Sequence, residues 1–225
     1  MRPWFIALLL LLGACSPRPQ TAEPGKAPGV PASWPQQGFL RADRPRAFSF
    51  PADHGAHQGY RTEWWYLTGN LHTPERRPFG YQLTLFRIAL SPQAPDRSAS
   101  EWRAGHVWMA HLALTDAAAE KHYRRERFAR EALGLAGAET EPLRIWVEDW
   151  SLRRDGAGSR WRLSAGTDAF SLELELEPQR EPVLQGENGL SRKGSEAGNA
   201  SYYYSITRLA TGGTLRLGGE RFALQ

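Results

Sequence analysis

The 225-residue chain carries 28 Lys and Arg against 24 Asp and Glu, a formal charge of +4, and its 41% hydrophobic content is enough for a packed core. Arginine supplies 25 of the basic residues, yet they are interspersed with acids rather than gathered in a stripe, which argues against a nucleic-acid partner. A single cysteine excludes an intramolecular disulfide.

In chain order, Met1-Arg2-Pro3 precedes the apolar run Trp4–Leu12, then Gly13-Ala14 and the lone Cys15. The run is far shorter than the roughly 20 residues of a spanning helix. Its layout is that of a bacterial lipoprotein signal over 1–14, with Cys15 as the lipidated N-terminus. Ser16 in place of Asp favours outer-membrane sorting, so the expected location is the cell envelope, on the periplasmic face. Residues 15–47, rich in Pro, Gly and Ala, read as a flexible tether.

Residues 48–225 read as one all-β domain, because apolar residues recur with period two and turn residues interrupt them every 10–15 positions. Strands are expected near 62–72, 79–90, 105–115, 122–130, 143–153, 160–166, 169–177, 201–209 and 213–217. Turns are expected at Asp155-Gly156 and Gly212-Gly213, and a short helical turn within 132–138. Leu172, Leu174 and Leu176 should face inward, with Glu173, Glu175 and Glu177 in water. The first strand places Thr62, Trp64, Tyr66 and Thr68 on one face and Glu63, Trp65, Leu67 and Gly69 on the other. A strand so rich in aromatic and hydrogen-bonding groups on both faces suits a wall between a second layer and a pocket for a greasy molecule with a polar handle. The pattern fails for over twenty residues before Tyr202, which suggests an ordered loop at a pocket rim.

Several segments together resemble the carotenoid 1,2-hydratase (hydroxyneurosporene synthase) family and its AttH-type secreted relatives. They are Phe50-Pro-Ala-Asp-His-Gly-Ala-His57, Arg61-Thr-Glu-Trp-Trp-Tyr-Leu-Thr-Gly69, Gly80-Tyr-Gln-Leu-Thr-Leu-Phe-Arg87, Met109-Ala-His-Leu-Ala-Leu-Thr-Asp116, Leu184–Gly194 and Asn199–Arg208. The resemblance implies a lipocalin-like antiparallel β-barrel or sandwich, the first of two such domains. It implies a cavity near their junction and hydrophobic polyene or lipid ligands. Family chains continue into a second barrel with an acidic motif, before which this sequence stops, so the expectation is a one-domain offshoot or a piece of a longer chain.

Two functions compete. One is an envelope-anchored lipoprotein that binds a hydrophobic small molecule or lipid, with an export apparatus as a further candidate partner. The other is a hydratase or isomerase that protonates an alkene and needs a second domain. Alkene hydration requires an acid, a surface tolerant of a carbocation and a positioned water. Glu63 and His111 are the acid/base candidates. Trp64, Trp65, Tyr66, Tyr202 and Tyr204 are candidate walls, Gln82 and Asn199 candidate water-positioning groups, and Arg87 a partner for a carboxylate. Glu63 with Arg87 equally reads as an ion pair locking two strands. Asp53, His54 and His57 lack the ligand set of a zinc hydrolase, and no serine or cysteine nucleophile is visible. Neither a metal nor a cofactor is expected.

Overall fold

The structure, a computed structural model, describes residues 38–93, 100–155 and 158–225. The signal segment, Cys15, most of the tether and Gly156 of the expected Asp155-Gly156 turn lie outside them.

Fifteen strands and two single 3-10 turns make up the described chain. After the 3-10 turn Ala52–His54 come β1 (Thr62–His72), β2 (Pro78–Ala89), β3 (His106–Asp116) and β4 (Lys121–Arg130). The second turn, Ala132–Gly134, leads to β5 (Ala136–Thr140), β6 (Leu143–Val147), β7 (Trp150–Arg154), β8 (Trp161–Gly166) and β9 (Phe170–Pro178). The chain ends through β10 (Val183–Leu184), β11 (Leu190–Arg192), β12 (Ala200–Tyr202), β13 (Tyr204–Ser205), β14 (Leu209–Leu217) and β15 (Glu220–Leu224).

β1 to β4 form a four-stranded antiparallel meander, and a seven-stranded antiparallel sheet runs β15-β14-β9-β8-β7-β6-β5. Alternation of side chains turns Leu83, Leu85, Trp108, Leu112 and Leu114 of the first sheet toward Ile145, Trp150, Leu163, Leu172 and Leu215 of the second. All of these belong to one buried cluster. The expected barrel does not close: the sheets remain separate, touching in the backbone where His72 and Gln225 exchange two hydrogen bonds of 3.0 and 2.9 Å. Among the described residues, the large side chains on both inner faces pack into one core on the inward side.

The first four strands lie within one residue of expectation, and Glu173, Glu175 and Glu177 are exposed opposite the buried Leu172, Leu174 and Leu176. Later strands differ. The 143–153 stretch breaks into β6 and β7 because Glu148 takes a left-handed φ of 57° at a tight turn. Gly212-Gly213 is not a turn but lies within β14, paired with Glu175 and Leu174 of β9. A Cβ on Gly213 would stand 2.1 Å from the Glu173 carbonyl oxygen, so glycine there permits close strand approach. The turn falls instead at Gly218-Gly219, both at positive φ, and creates the unforeseen β15. The 201–209 stretch divides into the short β12 and β13, which pair with β11 and β10 and order the segment after β9.

Candidate functional site

Two sites emerge from β1 and β2, one on each face. The inward-facing site is a clamp. Residues 46–60 fold over the end of the four-stranded sheet, and their polar groups converge on Glu63 and Arg87, register partners on β1 and β2. Arg87, with no exposed surface, donates from Nε and Nη2 to Glu63 Oε2 at 2.9 and 2.8 Å, and from Nη2 to the carbonyls of His57 and Tyr60. The His57 backbone N–H donates to both Glu63 oxygens at 2.9 Å. Its ring spans two carboxylates, with Nδ1 2.7 Å from Glu63 Oε1 and Nε2 2.8 Å from Asp53 Oδ1. Ionised carboxylates only accept, so this geometry calls for both ring nitrogens to donate and for His57 to be an imidazolium.

The electrostatics agree. The hydrogen bond to Glu63 is the main reason His57 titrates above its ordinary value, against the opposing effect of burial. Burial alone would raise the Asp53 carboxyl, but Arg46, the Ser49 N–H and His57 together hold it at about 2. Burial likewise opposes ionisation of Glu63 and is overcome by His57 and Arg87, leaving its pKa below the ordinary value. Glu63 is therefore an ionised ion-pair partner with no proton held in reserve.

Beside this network, His54 Nδ1 lies 2.8 Å from the Tyr204 hydroxyl, and Trp65 Nε1 donates to the His54 carbonyl at 2.9 Å. Burial, helped by the charge of Arg154, lowers His54 to about 4, so it is neutral near pH 7, and burial raises Tyr204. The Arg46 guanidinium sits 4.3 Å over the Phe48 ring and 4.9 Å over that of Tyr202. Part of the stretch read as tether also belongs here: Leu40 bridges Tyr60, and Arg46 is 2.6 Å from Asp53.

The outward-facing site is the solvent side of the same sheet. Register stacks its residues in five ranks across β1, β2, β3 and β4. These are Thr62, Ile88, Val107 and Arg130; Trp64, Phe86, Met109 and Phe128; Tyr66, Thr84, His111 and Glu126; Thr68, Gln82, Ala113 and Arg124; and Asn70, Gly80, Thr115 and His122. On β1 to β3 no rank contains Asp, Glu, Lys or Arg. The second rank is wholly apolar, and Phe128 and Tyr66 are 58% and 50% exposed, as water-facing aromatics rarely are in such a cluster. Tyr203, from the segment between β12 and β13, lies against Trp64 with ring centroids 6.1 Å apart. His111 packs edge-on to Phe86 at 5.7 Å, with Nε2 3.9 Å from Glu126.

The structure thus separates residues that the sequence grouped. Glu63, Trp65 and Arg87 point inward; Trp64, Tyr66, Gln82 and His111 point outward. Glu63 and His111 fall on opposite faces because their rungs have opposite parity, and so cannot act on one substrate together. Tyr202 and Tyr204 join the clamp, whereas Asn199 is an exposed turn residue whose carbonyl accepts from the Lys193 N–H. No cluster of metal-ligating side chains occurs among the described residues.

Sequence reading missed Arg46 as a clamp member and Ile88, Phe86, Val107, Met109 and Phe128 on the outer face. A signal was present: β2 and β3 carry large apolar residues at both parities, the mark of a strand covered on both sides.

A family model described as AttH-like matches residues 41–225. The chain belongs to the AttH-like family. A crystal structure of a Nitrosomonas europaea protein assigned to AttH superposes with a TM-score of 0.73 at 35% identity, covering 83% of this chain and 55% of that one. Kievitone hydratase from Nectria haematococca superposes with a TM-score of 0.52 at 12% identity, covering 84% of this chain and 53% of that one, a likeness of fold alone. The chain therefore spans just over half the length of either protein. No functionally curated protein matches the sequence. The all-β, lipocalin-like fold and the AttH-type half of the resemblance stand on these matches.

Proposed function

We propose that this AttH-like chain is an envelope-anchored lipoprotein that binds a hydrophobic ligand on the outer face of its four-stranded sheet. The observation that carries the reading is that face itself: three adjacent strands with no Asp, Glu, Lys or Arg at an outward position, centred on Trp64, Phe86 and Met109 and edged by Tyr66 and Phe128. Covering one such large side chain contributes roughly 1.5–3 kcal/mol, so a ligand spanning three or four of them offsets the entropy lost on binding. Between the sheets, Leu83, Leu85, Trp108 and Trp150 are buried in one packed cluster of the described residues. Alkene protonation finds less support, since Glu63 is ion-paired and ionised.

The test is native mass spectrometry with lipid extraction on the full chain purified from membranes, comparing wild type with a Trp64→Ala/Phe86→Ala variant. A defined lipid retained by the wild type and lost from the variant supports the reading. Equal retention, or no lipid in either, overturns it. Acylation of Cys15, checked on the N-terminal peptide of the same preparation, tests the anchor separately.

A further inference from the structure

We infer that the ligand is an uncharged amphiphile, oriented along the strands with its tail over Trp64 and Phe86 and a hydroxyl- or ester-bearing head against Tyr66, Gln82 and His111; this rests on the ligand-binding reading above. Polarity on the outer face is graded rather than mixed. The first two ranks on β1 to β3 are apolar but for Thr62, and the fourth and fifth are polar or small yet uncharged. The third rank, Tyr66-Thr84-His111, is the boundary. Ranks recur every two residues, about 7 Å apart, so the apolar half offers a tail a run of roughly 14 Å.

The polar groups at the boundary are available. The Tyr66 hydroxyl and the Gln82 amide have no hydrogen-bond partner among the described residues, and the His111 side chain is 44% exposed with Glu126 only at 3.9 Å. By contrast, Thr68 Oγ1 already donates to the Tyr81 carbonyl, and Thr115 Oγ1 is 3.0 Å from His122 Nδ1. Tyr66 and His111 sit on the two strands flanking β2, about 10 Å apart, with Gln82 one rank below between them. A head with two or three hydroxyl or carbonyl oxygens meets all three.

Charge selects against ionised heads. On the uncharged strip a carboxylate or ammonium sheds water without gaining a counter-charge. The charges of the β4 edge are of both signs, Glu126 between Arg124 and Arg130, and stand beyond His111, away from Tyr66 and Gln82 on β1 and β2.

The experiment is isothermal titration of the full chain at pH 7.5 with glycerol monolaurate and with laurate, probes of equal tail length used below their micellar concentrations. The expected result is monolaurate glyceride binding at least about tenfold tighter than laurate, the equivalent of one or two head-group hydrogen bonds. Gln82→Leu and Tyr66→Phe, both at exposed positions, should bring the two affinities to within about threefold of each other, with circular dichroism confirming the fold. Laurate binding equally or more tightly overturns the head-group inference and leaves the ligand-binding reading intact. A neutral preference that persists in both variants overturns the assignment to Gln82 and Tyr66. Binding of neither probe to wild type overturns both.

Discussion

The two solvent-facing sheet surfaces of this molecule are built on opposite rules. Outside the seven-stranded sheet, Arg144, Arg153, Arg162 and Glu175 line one rung across β6 to β9, Glu173, Glu177 and Arg216 share the same face, and Arg162 pairs with Glu175 at 2.9 Å and Asp155 at 3.3 Å. Outside the four-stranded sheet, β1 to β3 present aromatic, aliphatic, amide and hydroxyl groups and no formal charge. Water-facing sheets are ordinarily polar, and charges on them also discourage association. One surface is therefore finished as an exterior, whereas the other is the face proposed to carry the ligand.

The same contrast separates stability from function. The largest effect should come from the inward clamp: Arg87→Ala strips the guanidinium from Glu63, leaving that carboxylate to His57, and unpairs two carbonyls, and the chemical-denaturation midpoint should report a loss of about 3 kcal/mol. If Arg87→Ala instead matched an exposed substitution, the clamp would be no more structural than the outer face.

The clamp should also set the pH dependence. His54, depressed to about 4, contributes stability that is complete above its ordinary 6.5 and lost as pH falls through 4, by about 3 kcal/mol. Asp53, held at about 2, adds a further loss of about 2 kcal/mol between roughly pH 4 and 2. His57 has the opposite sign: its raised pKa stabilises the fold below 6.5, and that contribution fades as pH rises through the raised value. Urea titrations across pH should therefore show maximal stability near about 6.5, and His57→Gln should flatten the alkaline limb while also making the acid limb shallower, since His57 helps hold Asp53 and Glu63 ionised. An alkaline limb unchanged in His57→Gln would remove His57 from the account.

Outer-face changes should invert this pattern, costing binding rather than stability. Ala113→Glu and Met109→Lys, which give this face the character of its counterpart, should weaken lipid binding at least about tenfold while moving stability by no more than about 1 kcal/mol. The smallest effect is expected from Glu175→Gln on the other sheet, where exposed ion pairs contribute about 0–1 kcal/mol and lipid binding should not change.

Much of this was legible in the sequence. The period-two runs located the first four strands because each is long and flanked by clear turn residues, and the alternation of Thr62-Glu-Trp-Trp-Tyr-Leu-Thr68 assigned every side chain of β1 to its face. Glu63 with Arg87 appeared as a candidate ion pair, as observed. What escaped depends on register and long-range approach. Gly212-Gly213 and Gly218-Gly219 look alike in sequence, and only pairing with β9 determines which is a turn. His57 became a two-carboxylate bridge through the fold of residues 46–60 over β1, a contact no local pattern encodes. Grouping Glu63 with His111 failed because parity across three strands, not motif membership, decides which residues meet.

The central claim is that the uncharged face of the four-stranded sheet holds the ligand. The most direct measurement is photolabelling of the full chain with a diazirine-bearing glycerol monolaurate analogue, followed by peptide mapping. The account predicts adducts on Trp64, Tyr66, Phe86, Met109 and Phe128 that excess unlabelled glyceride suppresses. Competable adducts confined to the interior cluster or to the seven-stranded sheet would contradict it.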